Sequence, residues 1–225
     1  MVLVFDLDDT LYDELTYVES GFDAVAKMLA EAFEISAHHL KERMMQILKQ
    51  QGRGAVFDLL LQEIGAYTKN NVHKALSCYR THQPSIAMSA DVRLMLLELS
   101  RSFPLYLVTD GNKEVQYNKI KALKIAPLFK KVYITHRYGL KHAKPSLYCF
   151  EKIRQKEKCS FADMTYIGDN PHKDFVNLKK QGAKTIRVMT GSYRQIELTP
   201  DFEADQRIDS VLELKHLINV NGSLS

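Results

Sequence analysis

The chain opens on an unbroken apolar run, Val2, Leu3, Val4 and Phe5, in which both alternating sets of positions are hydrophobic. A strand that is apolar on both faces belongs inside a sheet covered on both sides. The period then changes. From about Asp13 to Gln83 apolar residues recur every three or four positions, as in Phe22, Val25, Ala26, Leu29 and Phe33. The stretches His39 to Gln50, Val56 to Ile64 and Asn71 to Tyr79 repeat this amphipathic pattern, and Gly52, Gly54 and Gly65 punctuate them. The pattern predicts a bundle of about four helices inserted after a single strand.

An alternation of short apolar runs and helical periods begins near Asp91. Strands are predicted at Leu105 to Thr109, Val132 to Thr135, Met164 to Gly168 and Lys184 to Val188. The intervening helices are expected at Val92 to Leu99, Lys113 to Leu123, Leu147 to Gln155 and Asp174 to Gln181. Strands alternating with helices imply an α/β fold, a Rossmann-like parallel sheet flanked by helices, carrying the helical bundle as an inserted cap. The expected division assigns 1–12 and 84–218 to the α/β core, 13–83 to the helical cap and 219–225 to a flexible polar tail.

Composition narrows the class. The 225 residues are 45% hydrophobic and 26% charged, an ordinary globular balance. A net charge of +4, from 31 basic against 27 acidic residues, suits small anionic substrates. No basic block with interleaved aromatics appears, so nucleic acid is not an expected partner. Cys78, Cys149 and Cys159 form no C-x-x-C pair and give neither a disulfide framework nor a zinc site. No run approaches the roughly 18 apolar residues of a membrane span. With no leader pattern ahead of the first strand, a cytoplasmic protein that binds no membrane is expected. Oligomeric state is not legible.

The chemistry sits where the strands end. Asp6 and Asp8 project to the same side just past the first strand, the sheet edge where α/β folds bind ligands. Two carboxylates so close repel each other unless a cation or a chemical use accompanies them. The second strand ends in Thr109, Asp110, Gly111 and Asn112, a turn that opens a helix. These residue types cap helices, and a helix N-terminus also seats phosphate, so both readings apply there. Pro145 restricts the backbone at Lys144 and would hold that lysine near the sheet edge. The fourth strand runs into Gly168, Asp169, Asn170, Pro171, His172, Lys173 and Asp174. Four acids converging on one edge (Asp6, Asp8, Asp169 and Asp174) call for a hard cation such as Mg²⁺.

Together these motifs resemble the haloacid dehalogenase-like hydrolase superfamily. The resemblance runs from about Met1 to Leu217 and rests on Asp6-Leu-Asp8-Asp-Thr10, Thr109-Asp-Gly, Lys144-Pro and Gly168-Asp169 through Asp174, in the family's order. The intervening stretch Gln116…Lys119-Ile-Lys-Ala-Leu and Phe129…Gly139 also resembles the family. It implies that Asp6 is the nucleophile, forming an aspartyl-phosphate, and that Asp8 is the general acid and base. It further implies that Asp6, the backbone carbonyl of Asp8 and Asp169 bind Mg²⁺, with Asp174 orienting groups around the metal. Thr109, with the N–H groups of Asp110 and Gly111, would cradle phosphate, and Lys144 would neutralise Asp6 and the transferring group. Asp110 departs from the asparagine frequent in the family and brings an unexplained carboxylate near phosphate.

The implied activity is a Mg²⁺-dependent phosphatase of small phosphorylated metabolites: sugar, sugar-acid or nucleoside monophosphates. A phosphosugar mutase on the same fold keeps both aspartates and stays open. A dehalogenase has no leaving alkoxide to protonate, so Asp8 speaks against it, and a non-catalytic binding module has no need of the intact set. In the insert, Arg53 between two glycines is singled out as a substrate contact. His38 and His39 would diverge on a helix and make a poor metal pair.

Overall fold

In the computed structural model, residues 1–218 are described, and the expected tail 219–225 lies outside them. The chain divides into two compact units, one made of Met1–Glu14 with the chain from Ala87 onward, the other of Leu15–Ile86.

Six strands form the sheet of the first unit: β1 (Val2–Phe5), β2 (Leu105–Thr109), β3 (Lys131–Ile134), β4 (Met164–Gly168), β5 (Lys184–Val188) and β6 (Gln206–Ile208). They lie in the order β3-β2-β1-β4-β5-β6, and every pairing is parallel. β1 is fully buried, as its unbroken apolar run requires. It pairs Phe5 with Leu107 on one side and with Ile167 on the other, so strand order reverses about β1 and a crevice is left at its C-terminal end. Helices α5 (Ala90–Ser102), α6 (Lys113–Leu123), α7 (Tyr148–Glu157), α8 (Val176–Lys180) and α9 (Leu214–Leu217) flank the sheet; their labels follow the four helices of the second unit. One core cluster joins Val4, Tyr106, Val108, Phe150, Tyr166 and Phe175. Burying each such side chain contributes about 1.5–3 kcal/mol.

The second unit is helical: α1 (Leu15–Phe33), α2 (Ala37–Gln51), α3 (Val56–Glu63) and α4 (Lys69–Thr81). α1 packs on α2 and α4, and α2 on α3. Ser36 and Thr68 cap α2 and α4 by accepting from His39 N and Asn71 N. Phe22, Val25, Ala26 and Leu29 are buried as their spacing predicts, but Phe33, placed on the same stripe, is 36% exposed. It is the last residue of α1, and the chain turns away at Glu34 in a left-handed conformation, so its ring lies at the margin of the bundle.

Two regular elements escape the hydrophobic pattern. β6 holds one buried residue, Ile208, and α9 is a single turn. The helix expected at Asp174 to Gln181 is shorter and runs Val176–Lys180, because Asp174 turns its side chain back to accept from Asn170 N at 2.9 Å.

Candidate active site

Asp6 leaves the end of β1 with its N–H donated to Ile167 O at 2.8 Å, so the backbone still belongs to the sheet while the side chain enters the crevice. The carboxylate is almost completely buried. Lys144 Nζ stands 3.0 Å from Asp6 Oδ1 and 2.8 Å from Asp174 Oδ1. Asp6 Oδ1 has that charge beside it but no well-directed hydrogen bond. Burial pushes the Asp6 carboxyl up, Lys144 pulls it back and Asp174 adds to the rise, leaving it at about 6. Burial alone would favour the neutral form of Lys144. The carboxylates of Asp174 and Asp6 outweigh it and hold the ammonium well above its ordinary range.

Lys144 also donates to Tyr166 Oη at 2.7 Å, and that hydroxyl donates to Asp174 Oδ1 at 3.2 Å. Asp174 therefore has one oxygen on Lys144 and Tyr166 and the other on Asn170 N. Gly168 makes this approach possible. A Cβ there would sit 2.5 Å from Asp174 Oδ2, far inside contact distance. Asp6, Asp169 and Asp174 form the one group of candidate metal ligands found among the described residues, with a ligand atom of each within 4.8 Å of the others. Burial, then Asp174 and Asp6, raise the Asp169 carboxyl. Three buried carboxylates beside Lys144 and Lys173 form an all-oxygen set of the kind that suits Mg²⁺.

Asp8, next along the opening motif, is held by three donors. Tyr12 Oη and Lys119 Nζ reach Oδ1, each at 2.7 Å, and Gln116 Nε2 reaches Oδ2 at 2.9 Å. Gln116 Nε2 lies 2.5 Å from Thr109 Oγ1, which links Asp8 to the end of β2. Lys119 also pairs with Glu14 Oε1 at 2.9 Å. Burial would lower the Lys119 amine, but Asp8 and Glu14 together hold it above its ordinary range.

The turn after β2 separates its two roles. Asn112 is the cap of α6, accepting from Glu114 N and Val115 N, and Thr109 is fully buried beside Gln116. The carboxylate of Asp110 now has an explanation. Its Oδ1 accepts from Thr135 Oγ1 at 2.6 Å and Lys144 N at 3.1 Å, while Oδ2 faces Lys173 Nζ at 3.3 Å. Burial would raise the Asp110 carboxyl, but Lys144 and Lys173 hold it below the usual range. Asp110 is thereby tied to the wall of the crevice. Gly111 follows at φ +136°, in the region that favours glycine.

The structure thus gathers Asp6, Asp169, Asp174 and Lys144 at one point and links Asp8 to Thr109 beside it. Arg53 belongs to the helical unit, exposed in the short turn Arg53–Ala55. His38 pairs with Glu42. Sequence reasoning assigned no role to Tyr12, Glu14, Gln116, Lys119, Tyr166 or Arg187. Fully buried Arg187 donates to Asp169 O at 3.2 Å and to both oxygens of Glu203, at 2.9 and 2.8 Å. The available signal was a polar side chain on an apolar face: Gln116 and Lys119 lie with Ile120 and Leu123 on the buried side of α6.

A doubly wound parallel sheet with a carboxylate centre at its switch point defines an α/β enzyme whose chemistry runs on acidic side chains. The family described as haloacid dehalogenase-like hydrolase matches residues 3–188, and the chain belongs to that family. A relative named glyceraldehyde 3-phosphate phosphatase, from Methanocaldococcus jannaschii, is 29% identical over 230 residues, covering 96% of each chain. A protein of the same name from Pyrococcus abyssi is 29% identical over 231 residues, covering 99% of this chain and 95% of its own. Among solved structures, the putative HAD-hydrolase YfnB from Bacillus subtilis, described as bound to magnesium, superposes with a TM-score of 0.68 at 20% identity, covering 97% of this chain and 98% of its own. No helix of the described residues is long and apolar enough to cross a membrane.

Proposed function

We propose that this hydrolase is a Mg²⁺-dependent phosphatase of small phosphorylated metabolites, with sugar phosphates as the favoured class. The observation that carries the reading is the buried pair of Asp6 and Lys144, 3.0 Å apart at the switch point, with Asp8 held beside it. Asp6 is the nucleophile: a carboxylate oxygen attacks phosphorus, the bond to the leaving oxygen breaks, and Asp8 gives that oxygen its proton. Asp8 then takes a proton from water, whose oxygen attacks the phosphorus of the aspartyl-phosphate, releasing inorganic phosphate and restoring Asp6. Lys144 neutralises charge on Asp6 and the transferring group, and Thr109 with the N–H groups of Asp110 and Gly111 cradles the phosphate. Asp6, the carbonyl of Asp8 and Asp169 would hold Mg²⁺, with Asp174 orienting Lys144; the metal would supply further neutralisation of phosphoryl charge.

The helical unit, with Arg53, is assigned to substrate selection and contributes no catalytic group. Four relatives carry the name glyceraldehyde 3-phosphate phosphatase, which makes that compound the first substrate to test. The test is release of inorganic phosphate across a panel of sugar phosphates, sugar-acid phosphates and nucleoside monophosphates, with Mg²⁺ and with EDTA. Mg²⁺-dependent release, abolished in a folded Asp6→Asn variant, is expected. Wild-type release by that variant refutes the covalent route, and phosphate returned to the sugar at another position identifies a mutase.

A further inference from the structure

We propose that Lys119 is the positioning residue for Asp8 and that, with Gln116, it sets the acid–base carboxylate against the phosphate cradle as one rigid unit. The inference rests on the proposed reading of Asp8 as proton donor and acceptor. Lysine is among the side chains least often buried, yet Lys119 is 2% exposed. An ammonium is tolerated inside a protein only when its charge is met. Here two carboxylates meet it, Asp8 at 2.7 Å and Glu14 at 2.9 Å. Glu14 is a second carboxylate anchor for the ammonium, so Lys119 is held by more than its contact with Asp8. Glu14 is itself fixed, because its N–H donates to Asp9 Oδ1 at 2.9 Å.

Gln116 supplies the second half of the device. It lies three residues before Lys119 on the same face of α6, and its amide reaches both Asp8 Oδ2 at 2.9 Å and Thr109 Oγ1 at 2.5 Å. One helix therefore grips both oxygens of the acid–base residue and touches the cradle. A displacement of α6 carries the two together and preserves their spacing, the quantity on which proton delivery to the leaving oxygen depends. A misplacement of about 1 Å in such a constellation costs up to a hundredfold in rate.

The test is a double-mutant cycle on the full chain, pairing Lys119→Met with Asp8→Asn and following the residual turnover of p-nitrophenyl phosphate. Its good leaving group spares the first proton transfer and leaves hydrolysis of the aspartyl-phosphate as the step that uses Asp8. Lys119→Met alone should lower kcat by about tenfold to a hundredfold and leave KM within about threefold. In the Asp8→Asn background the same change should cost less than about threefold, since no acid–base group is left to position. Lys119→Arg should recover part of the loss, because a guanidinium can also donate to two carboxylates. Thermal melts accompany each variant. If Lys119→Met does not fold, Tyr12→Phe, which removes a donor from the same Asp8 oxygen, replaces it in the cycle. Equal losses in both backgrounds, or an unchanged kcat in the folded single variant, overturn the proposal. A wild-type rate for Asp8→Asn alone overturns the reading of Asp8 itself and the proposal with it, an outcome distinct from additivity in the cycle.

Discussion

Stripped of divalent cations, this protein should lose stability as pH rises, the reverse of what paired surface carboxylates produce. The cause is the cluster of Asp6, Asp169 and Asp174, in which Asp6 and Asp169 are held above their ordinary range, chiefly by burial. A carboxyl raised in the folded state adds stability that is complete below its unfolded value and disappears as pH climbs through its folded value. For Asp6 the rise from the ordinary 3.8 to about 6 corresponds to about 3 kcal/mol. Asp169 acts in the same direction over a higher range. Lys144 is held above its ordinary value and stays charged between about pH 5 and pH 8, so it contributes no slope there. Asp110 and Glu203, held below their ordinary values, act only at more acid pH. For a chain of this size about 3 kcal/mol is worth about 6–12 °C in Tm. The assay is thermal melting in EDTA and in Mg²⁺ at both ends of that window. In EDTA the Tm should fall between about pH 5 and pH 8, where Asp6 loses about half of that contribution, the rest having gone between about pH 4 and pH 5, and Asp169 adds to the fall. Added Mg²⁺, which stabilises by about 2.7 kcal/mol at a hundred times its Kd, should restore more at the higher pH. Asp169→Asn removes a buried carboxylate that accepts no hydrogen bond among the described residues. It should raise the Tm in EDTA at the higher pH and abolish the response to Mg²⁺. A flat or rising Tm in EDTA across the window, or an Asp169→Asn variant less stable than wild type there, would refute the reasoning.

Three further outcomes are expected. Gly168→Ala places a Cβ 2.5 Å from Asp174 Oδ2 and 3.0 Å from Tyr166, so a folded variant should lose about tenfold or more in phosphate release; near-wild-type turnover would show that the loop relaxes freely. Glu203→Gln leaves the fully buried Arg187 guanidinium without its carboxylate and should destabilise by about 3 kcal/mol in urea unfolding, a loss below about 1 kcal/mol counting against a structural role for the pair. Arg53→Ala should raise KM for the preferred substrate more than for p-nitrophenyl phosphate, and equal effects on both would remove Arg53 from substrate selection.

What was legible in the sequence divides along a physical line. The five longer strands could be read because each carries apolar residues that the sheet buries, in β1, β2 and β4 as a nearly unbroken run. β6 could not, since Gln206, Arg207 and Ile208 bury a single side chain and take their strand conformation from pairing with β5. The acids and the lysine of the site could be read for a related reason: they cluster in short segments at strand ends, where the fold delivers side chains to one edge. The pairings that tune them left no local mark. Asp8 and Lys119 are 111 positions apart, and no window along the chain contains both. Asp110 looked anomalous while only its neighbours in sequence were considered. Lys173, its charge partner, lies on the turn after β4, and the Lys144 N–H comes from a third segment. Arg187 was hidden differently, as one polar residue inside the strand Lys184–Val188, where its 0% exposure follows only from the carboxylate of Glu203 and the carbonyl of Asp169 facing it. A pattern of hydrophobicity reports which face a residue presents, a one-body property. The charge state and orientation of a buried group are set by pairs, and the pairs are made by the topology. For this chain, the candidate catalytic residues are therefore recognisable one at a time, whereas the groups that contact them become recognisable only once β1, β2, β4 and α6 are brought together.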